Sequence, residues 1–318
     1  MAKDWNEFLG TTSEWPAPSS PVASVEAASP TPDKRLQRPS TREELREWCN
    51  RNLAVHLPMK AVCPGHDTPL DYLDYVFFDR GPADPVVWAC RGGGKTLVAA
   101  IATLLDMIFR PGIDIRILGG SAVQTERMYE HLVRFVETGF RDLMIRGSKL
   151  GRITKSGFTF GNGSRVELLS QSEGSVRGAR VQRVRCDEVD LFDPKVWEAV
   201  QLATRSKSGT SGVVRGTIEA FSTMNGPGGL MSKLVADGKR KVFTWCAWDV
   251  IEKCTAECKG CSLYGDCRGK AHGAEGFVPV SDLITMHARV QKRTWRYEVL
   301  CNPVDGVSAG SGVMVRHY

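Results

Sequence analysis

At 318 residues and 42% hydrophobic content, the chain can bury one large α/β core, which excludes a fibrous or wholly disordered protein. No run approaches the roughly 18–20 apolar residues of a membrane span, and the opening MAKDWNEFLG lacks a signal-peptide core, so a soluble intracellular protein is expected. The net charge of +6 is modest, and ten cysteines without a secretory signal favour reduced thiols or metal ligands over disulfides.

Residues 1–39 are rich in Pro, Ser and Ala, which predicts a disordered tail whose Trp5, Phe8 and Trp15 read either as a short docking motif or as scattered aromatics with no specific role. Order is expected from Ser40, spaced with Glu43 as a capping box, and Leu45, Trp48, Cys49 and Leu53 share one helical face. Pro69 to Phe78 reads as a second helix whose aromatics join the core.

Pro85 to Cys90 (PVVWAC) suits a buried strand and Lys95 to Ile108 a helix, with ACRGGGKT turning between them. Ala89, Cys90, Arg91, Gly92, Gly93, Gly94, Lys95 and Thr96 thus read as a nucleotide-binding loop. Glycines let successive N–H groups face an anion, the helix N-terminus adds partial positive charge, Lys95 reaches the outer phosphates, and Thr96 offers a hydroxyl to Mg²⁺. Ala89 replaces the first glycine of the usual GxxxxGK[ST] pattern.

Ile113 to Leu118 follows as a strand, and Ser121 opens a helix to about Glu137 with Gln124 at the capping position, a βαβ rhythm that implies a parallel sheet. Gly157 to Leu169 suggests a hairpin about the turn residues GNG. From Arg141 to Arg185, ten Lys or Arg stand against Asp142, Glu167 and Glu173, a concentration of positive charge that fits either a polyanion partner or a solvated basic face.

Val181 to Cys186 alternates apolar and basic residues and runs into Asp187 and Glu188. An acidic residue at such a strand end can hold Mg²⁺ opposite the phosphate loop, and the glutamate after it can orient the attacking water. A helix begins at Asp193-Pro194. Gly216 to Thr223 is a further strand, and the polar groups that follow it read either as a γ-phosphate sensor or as a simple turn.

These residues together resemble the ATPase domain of the large terminase subunits of tailed bacteriophages. The resemblance rests on Arg91 four residues before Lys95, on SQSEGSVRGARVQRVRCDEVD before the acidic pair, on FSTMNGPGG, and on TWRYEVLCNP near the C-terminus, and it covers roughly residues 60–305. It implies a P-loop NTPase fold of the additional-strand, catalytic-glutamate type, with a mostly parallel sheet flanked by helices. It implies ATP and Mg²⁺ as ligands, with Lys95 and Thr96 on the phosphates and metal, Asp187 on Mg²⁺, and Glu188 activating water. Arg91 would stabilise charge in cis, Arg177 would be an arginine finger reaching a neighbouring subunit, and Thr223 and Asn225 would couple hydrolysis to movement. Implied partners are double-stranded DNA, a homo-oligomeric ring, the portal protein and the small terminase subunit, in the cytoplasm of an infected bacterium and transiently on the procapsid. The family's nuclease domain would begin about where the sequence stops at Tyr318, and no strand-end carboxylate cluster follows Asn225, so no nuclease activity is expected.

Cys254, Cys258, Cys261 and Cys267 lie within one short loop, a spacing that suggests a structural Zn²⁺ site, with an iron–sulfur cluster or free thiols as alternatives. Cys49, Cys186 and Cys246 fall on apolar patterns and read as small core residues, while Cys90 reads either as a thiol whose oxidation blocks nucleotide binding or as one its neighbours keep inert. The expected organisation is a tail (1–39), an ATPase domain (40–250), a cysteine-rich loop (251–275) and a helical linker (276–318). A DNA helicase or remodelling ATPase would share this phosphate chemistry, and a non-hydrolysing nucleotide-switched adaptor is a third class.

Overall fold

The computed structural model describes residues 33–145, 152–170, 172–209, 212–226 and 228–302. The chain divides into two units, Met1–Lys34 and Arg35–Tyr318. Most of the expected tail, with its aromatic docking motif, and everything after Asn302 lie outside the described residues. Within the second unit order begins before Ser40: Arg35 pairs with Asp142 at 2.8 Å, and Arg38 lies over the Phe77 ring and donates to the Phe77 carbonyl at 2.9 Å. These arginines find a carboxylate and an aromatic face that composition alone does not reveal.

The first helix, α1 (Arg42–Leu53), is capped one residue later than expected, by Thr41, whose hydroxyl accepts from the Glu44 N–H. It buries Leu45, Trp48 and Cys49, as the helical face predicts. Helix α2 (Pro69–Phe77) has a capping box formed by Thr68 and Asp71, with Pro69 in its first turn, where no N–H is needed.

The central elements then follow the expected rhythm. Strand β1 (Pro85–Ala89) leads to α3 (Lys95–Phe109), and β2 (Asp114–Gly119) leads to α4 (Ala122–Phe135), whose N-cap Ser121 accepts from Gln124 N. Strands β3 (Gly157–Thr159) and β4 (Arg165–Leu168) make the expected antiparallel hairpin, and a short α5 (Glu173–Arg177) precedes β5 (Arg183–Asp187) and α6 (Pro194–Val200). A separate two-stranded ribbon, β6 (Lys207–Gly209) with β7 (Gly212–Val214), precedes β8 (Thr217–Ser222), α7 (Leu230–Ala236), β9 (Lys241–Trp245) and α8 (Ala247–Val250). Helices α9 (Tyr264–Cys267) and α10 (Val280–Arg289), then a π-helical turn at Trp295–Val299, complete the described chain.

Seven strands form one sheet in the order β3-β4-β2-β5-β8-β1-β9, parallel throughout except at the β3–β4 hairpin. Strand β8 therefore stands between β1, which ends in the glycine-rich loop, and β5, which ends in the acidic pair. This is the expected fold class, with the extra strand between the two halves of the site. Register brings those strand ends to one edge: Asp187 pairs with Phe221, and Phe221 with Val87. Strands β1, β5 and β8 are buried along their whole length, as parallel strands covered on both faces must be. Among the described residues no helix is long and apolar enough to cross a membrane.

One expectation about charge is corrected. Arg183 and Arg185 were counted with the basic surface, yet their side chains are 2% and 0% exposed. Arg185 donates to Asp106 on α3 at 2.7 Å and to Glu219 on β8 at 3.0 Å, and Arg183 lies 3.4 Å from Asp106. The Tyr72 hydroxyl of α2 also donates to Glu219. Because β5 is central, every β5 side chain meets the protein interior, and these two basic residues are tolerated only through buried carboxylates.

Candidate active site

The glycine-rich loop is held from beneath by β9. Cys90 N donates to the Trp245 carbonyl at 3.1 Å, and Trp245 Nε1 donates to the Gly93 carbonyl at 2.7 Å. A Cβ at Gly93 would lie 2.6 Å from Cys90 Sγ and 3.0 Å from Trp245 Nε1, so only glycine fits this approach. Gly94 caps α3 in the left-handed conformation, which leaves the first N–H groups of a buried fifteen-residue helix open to an anion.

Lys95 is 5% exposed, donates to the Cys90 carbonyl at 3.2 Å, and lies 3.9 Å from Glu188. The Thr96 hydroxyl donates to Asp187 Oδ2 at 2.7 Å. Burial pushes the Asp187 carboxyl up to about 6, with Glu188 adding to the shift and the Thr96 bond and Lys95 opposing it. A hydroxyl and a buried carboxylate oxygen in contact form the hard, oxygen-only donor pair that suits Mg²⁺. Lys95, Thr96, Asp187 and Glu188 thus converge as the sequence predicts.

Glu188 has φ 52° and ψ 51°, a left-handed conformation that is rare for a glutamate. The turn sends its side chain to Ser222 at the end of β8, whose hydroxyl donates to Glu188 Oε2 at 3.1 Å. Backbone strain at the residue after a strand-end aspartate is the kind that a functional site retains.

The two arginines stand elsewhere. Arg91, with its side chain 66% exposed, donates through Nε to Glu298 at 2.7 Å, and its own N–H donates to the Glu298 carbonyl. The π-helical turn Trp295–Val299 is thereby tied to the glycine-rich loop. Arg177, 58% exposed, pairs with Glu173 one turn earlier in α5, and among the described residues its contacts do not include Lys95, Thr96, Asp187 or Glu188. Thr223 and Asn225 follow β8, with Thr223 Oγ1 3.4 Å from Asn225 Oδ1.

Asp190 is a residue that sequence reading missed. Its carboxylate accepts from the N–H groups of Asn225 at 3.0 Å and Met231 at 2.9 Å, joining the acidic loop to the segment after β8. Its only sequence signal is its place two residues beyond the acidic pair. Cys90 is buried, and burial raises its thiol to about 12, which disfavours the reactive thiolate at neutral pH.

Cys254, Cys258, Cys261 and Cys267 are half-buried, and Cys258 Sγ lies 3.2 Å from His272 Nε2. Among the described residues, a group of four metal-ligating side chains with ligand atoms within 4.8 Å of one another is formed by Cys63, His66, Cys246 and Asp249. Cys246, a buried core residue as expected, is also one of them.

No family model matches the sequence, and no curated protein matches it. Solved structures do. The large terminase of bacteriophage HK97 is 16% identical with a TM-score of 0.54, over 82% of this chain and 55% of that one. The large terminase ATPase domain of a Thermus phage is 16% identical with a TM-score of 0.45, over 72% of this chain and 93% of that domain. The large terminase of a thermophilic bacteriophage, solved with ADP, is 14% identical with a TM-score of 0.42, over 56% of this chain and 44% of that one. The chain thus spans about half the length of the full-length large terminases it matches. Over most of this chain its fold is that of about half of the HK97 large terminase, with the glycine-rich loop and the acidic pair at the ends of β1 and β5, on either side of β8.

Proposed function

We propose that this chain is the ATPase of a DNA-packaging motor, hydrolysing ATP to drive double-stranded DNA into a viral capsid. The observation that carries the reading is the contact of Thr96 with Asp187 at 2.7 Å, with Lys95 and Glu188 3.9 Å apart beside it, on a fold shared with a large terminase.

The loop N–H groups and the α3 N-terminus bind the phosphate oxygens, and Lys95 exchanges its contact with Glu188 for the outer phosphates. Thr96 and Asp187 would hold Mg²⁺, which would supply positive charge to offset that of the phosphates. Glu188, oriented by Ser222, accepts a proton from the attacking water as the new bond to the γ-phosphorus forms and the bond to the β-phosphate oxygen breaks. Arg91, released from Glu298, adds positive charge in cis, and Arg177 serves the site of a neighbouring copy in a ring. Asn225, tied to Asp190, transmits the change at Glu188 to the segment after β8. Portal protein and small terminase subunit are the partners this role requires, and DNA contacts would be to phosphates, weakening as salt rises.

The intact acidic pair favours hydrolysis over a nucleotide-switched adaptor. The test is ATP hydrolysis by the full chain with and without double-stranded DNA, beside strand separation on a forked duplex. Stimulation by blunt duplex without strand separation is expected. Strand separation would transfer the site to a helicase, and tight ATP binding without turnover to an adaptor.

A further inference from the structure

Two short turns distant in sequence bring four metal-ligating side chains together beside the phosphate loop. Cys63 and His66 lie between α1 and α2, and Cys246 and Asp249 lie where β9 turns into α8. Their ligand atoms all fall within 4.8 Å of one another. Cys63 Sγ is 3.5 Å from Cys246 Sγ, and His66 Nδ1 is 2.6 Å from Asp249 Oδ2, each across 183 residues of sequence.

Each pair is spaced i, i+3 and closed by a main-chain bond, His66 N to Cys63 O at 3.2 Å and Asp249 N to Cys246 O at 3.1 Å. In the first, Pro64 and Gly65 occupy the centre of the turn and Gly65 has φ 76°, a conformation that glycine adopts without strain. Such closed turns direct both side chains of a pair to the same side, as short cysteine and histidine spacings do in zinc sites. Cys63, Cys246 and Asp249 are 8%, 1% and 1% exposed, while the His66 side chain is 20% exposed and leaves a route from solvent.

Asp249 is also tied into the backbone: Oδ1 accepts from Val62 N and Cys63 N, and Oδ2 from Cys246 N, each at 2.9 Å. These bonds orient the carboxylate towards the other three donors. We propose that Cys63, His66, Cys246 and Asp249 form a structural zinc site that pins the β9–α8 turn behind the phosphate loop.

Two thiolates, an imidazole and a carboxylate match the tetrahedral preference of Zn²⁺, whereas Mg²⁺ and Ca²⁺ select oxygen-only sets. Zinc–sulfur bonds of about 2.3 Å at tetrahedral angles place two sulfurs about 3.8 Å apart, close to the 3.5 Å found. The imidazole and carboxylate would need about 3.3 Å between ligand atoms, so their 2.6 Å hydrogen bond opens slightly as the ion enters. Four protein donors complete the shell, which makes the site structural rather than catalytic. Its mechanical role follows from Trp245, which directly precedes Cys246 and holds both Cys90 and Gly93.

The test is metal content per chain by mass spectrometry of the full-length protein, with Co²⁺ substitution as the spectroscopic probe. The variants are Cys63→Ala, His66→Gln, and a Cys258→Ser/Cys261→Ser double substitution in the cysteine-rich loop. The expected result is one zinc equivalent lost in each of the first two variants and that same equivalent kept in the loop variant. Thiolate-to-cobalt absorption should weaken in Cys63→Ala, while in His66→Gln, whose partly exposed position spares the fold, the visible bands should shift. Zinc unchanged by Cys63→Ala and His66→Gln, zinc that follows the loop cysteines alone, or no Co²⁺ bound by the reduced chain would each overturn the assignment. None of these readouts depends on nucleotide hydrolysis.

Discussion

Replacing Asp106 with alanine removes the carboxylate that joins α3 to β5 in the centre of the sheet. Its oxygens accept from Arg110 and, at 2.7 Å, from Arg185, with Arg183 at 3.4 Å, and the side chains of Arg183 and Arg185 are 2% and 0% exposed. Glu219 would then be the one buried carboxylate facing both arginines, helped only by the half-exposed Asp79 at 3.8 Å from Arg183, so the buried positive charge would be under-compensated. Breaking a buried pair in this way costs about 3–5 kcal/mol, against a total stability of about 5–15 kcal/mol for a domain. A second, smaller figure comes from titration. Burial alone would raise the Asp106 carboxyl, but Arg110, Arg183 and Arg185 outweigh it and hold the group at about 2, below the ordinary 3.8. A depressed carboxylate stabilises the fold above its unfolded value, here by about 2 kcal/mol, and that contribution disappears as pH falls from about 4 through about 2. Alanine costs more than protonation because it also removes the hydrogen-bond acceptors. The assay is urea unfolding of wild type and Asp106→Ala at neutral pH and along an acid series, with Asp114→Ala as control. Asp114 pairs with Arg165 at 2.9 Å where both are partly exposed, so its pair is worth at most about 1 kcal/mol. Equal losses in the two variants, or wild-type stability unchanged between pH 4 and 2, would refute the buried network.

Gly93→Ala should lower the melting temperature, an overpacking cost of about 1–3 kcal/mol, and weaken nucleotide binding at least about tenfold in calorimetry, since Cys90 and Trp245 block the added methyl. Asp190→Ala should retain basal ATP hydrolysis and lose stimulation by DNA, because Asn225 and Met231 lose their shared acceptor; undiminished stimulation would dissociate this loop from coupling. Arg177→Ala and Glu188→Gln should each be inactive alone, and mixing them should restore hydrolysis if the arginine acts on a neighbouring copy. A mixture as inactive as its components would restrict Arg177 to its contact with Glu173.

The phosphate loop and the acidic strand were legible because their chemistry is local. A buried apolar run, a glycine-rich turn and a helix lie within consecutive residues, and β5 ends on Asp187 wherever the rest of the chain goes. The βαβ rhythm similarly foretold the parallel sheet. What sequence concealed depends on distant partners. Arg183 and Arg185 alternate with apolar residues and look half-exposed, until Asp106, 79 residues from Arg185, and Glu219, 34 residues away, meet them inside the fold. Cys246 carries no local sign of the turn that brings it to Cys63, 183 residues earlier. The four cysteines of the 254–267 loop were legible through their proximity in sequence, whereas the group that includes Cys63 and Cys246 is not. The cap of α1 moved by one residue because Ser40 and Thr41 are chemically equivalent caps, and only the backbone selects between them.

The central claim is that Lys95, Thr96, Asp187 and Glu188 form one hydrolytic centre, and single-turnover hydrolysis of pre-bound ATP in the presence of Mg²⁺ tests it most directly. Glu188→Gln should bind ATP as tightly as wild type and cleave it at least about a hundredfold more slowly, the lower end of what a positioned base contributes. Lys95→Ala should fail to retain the nucleotide. Cleavage by Glu188→Gln at the wild-type rate would contradict the assignment.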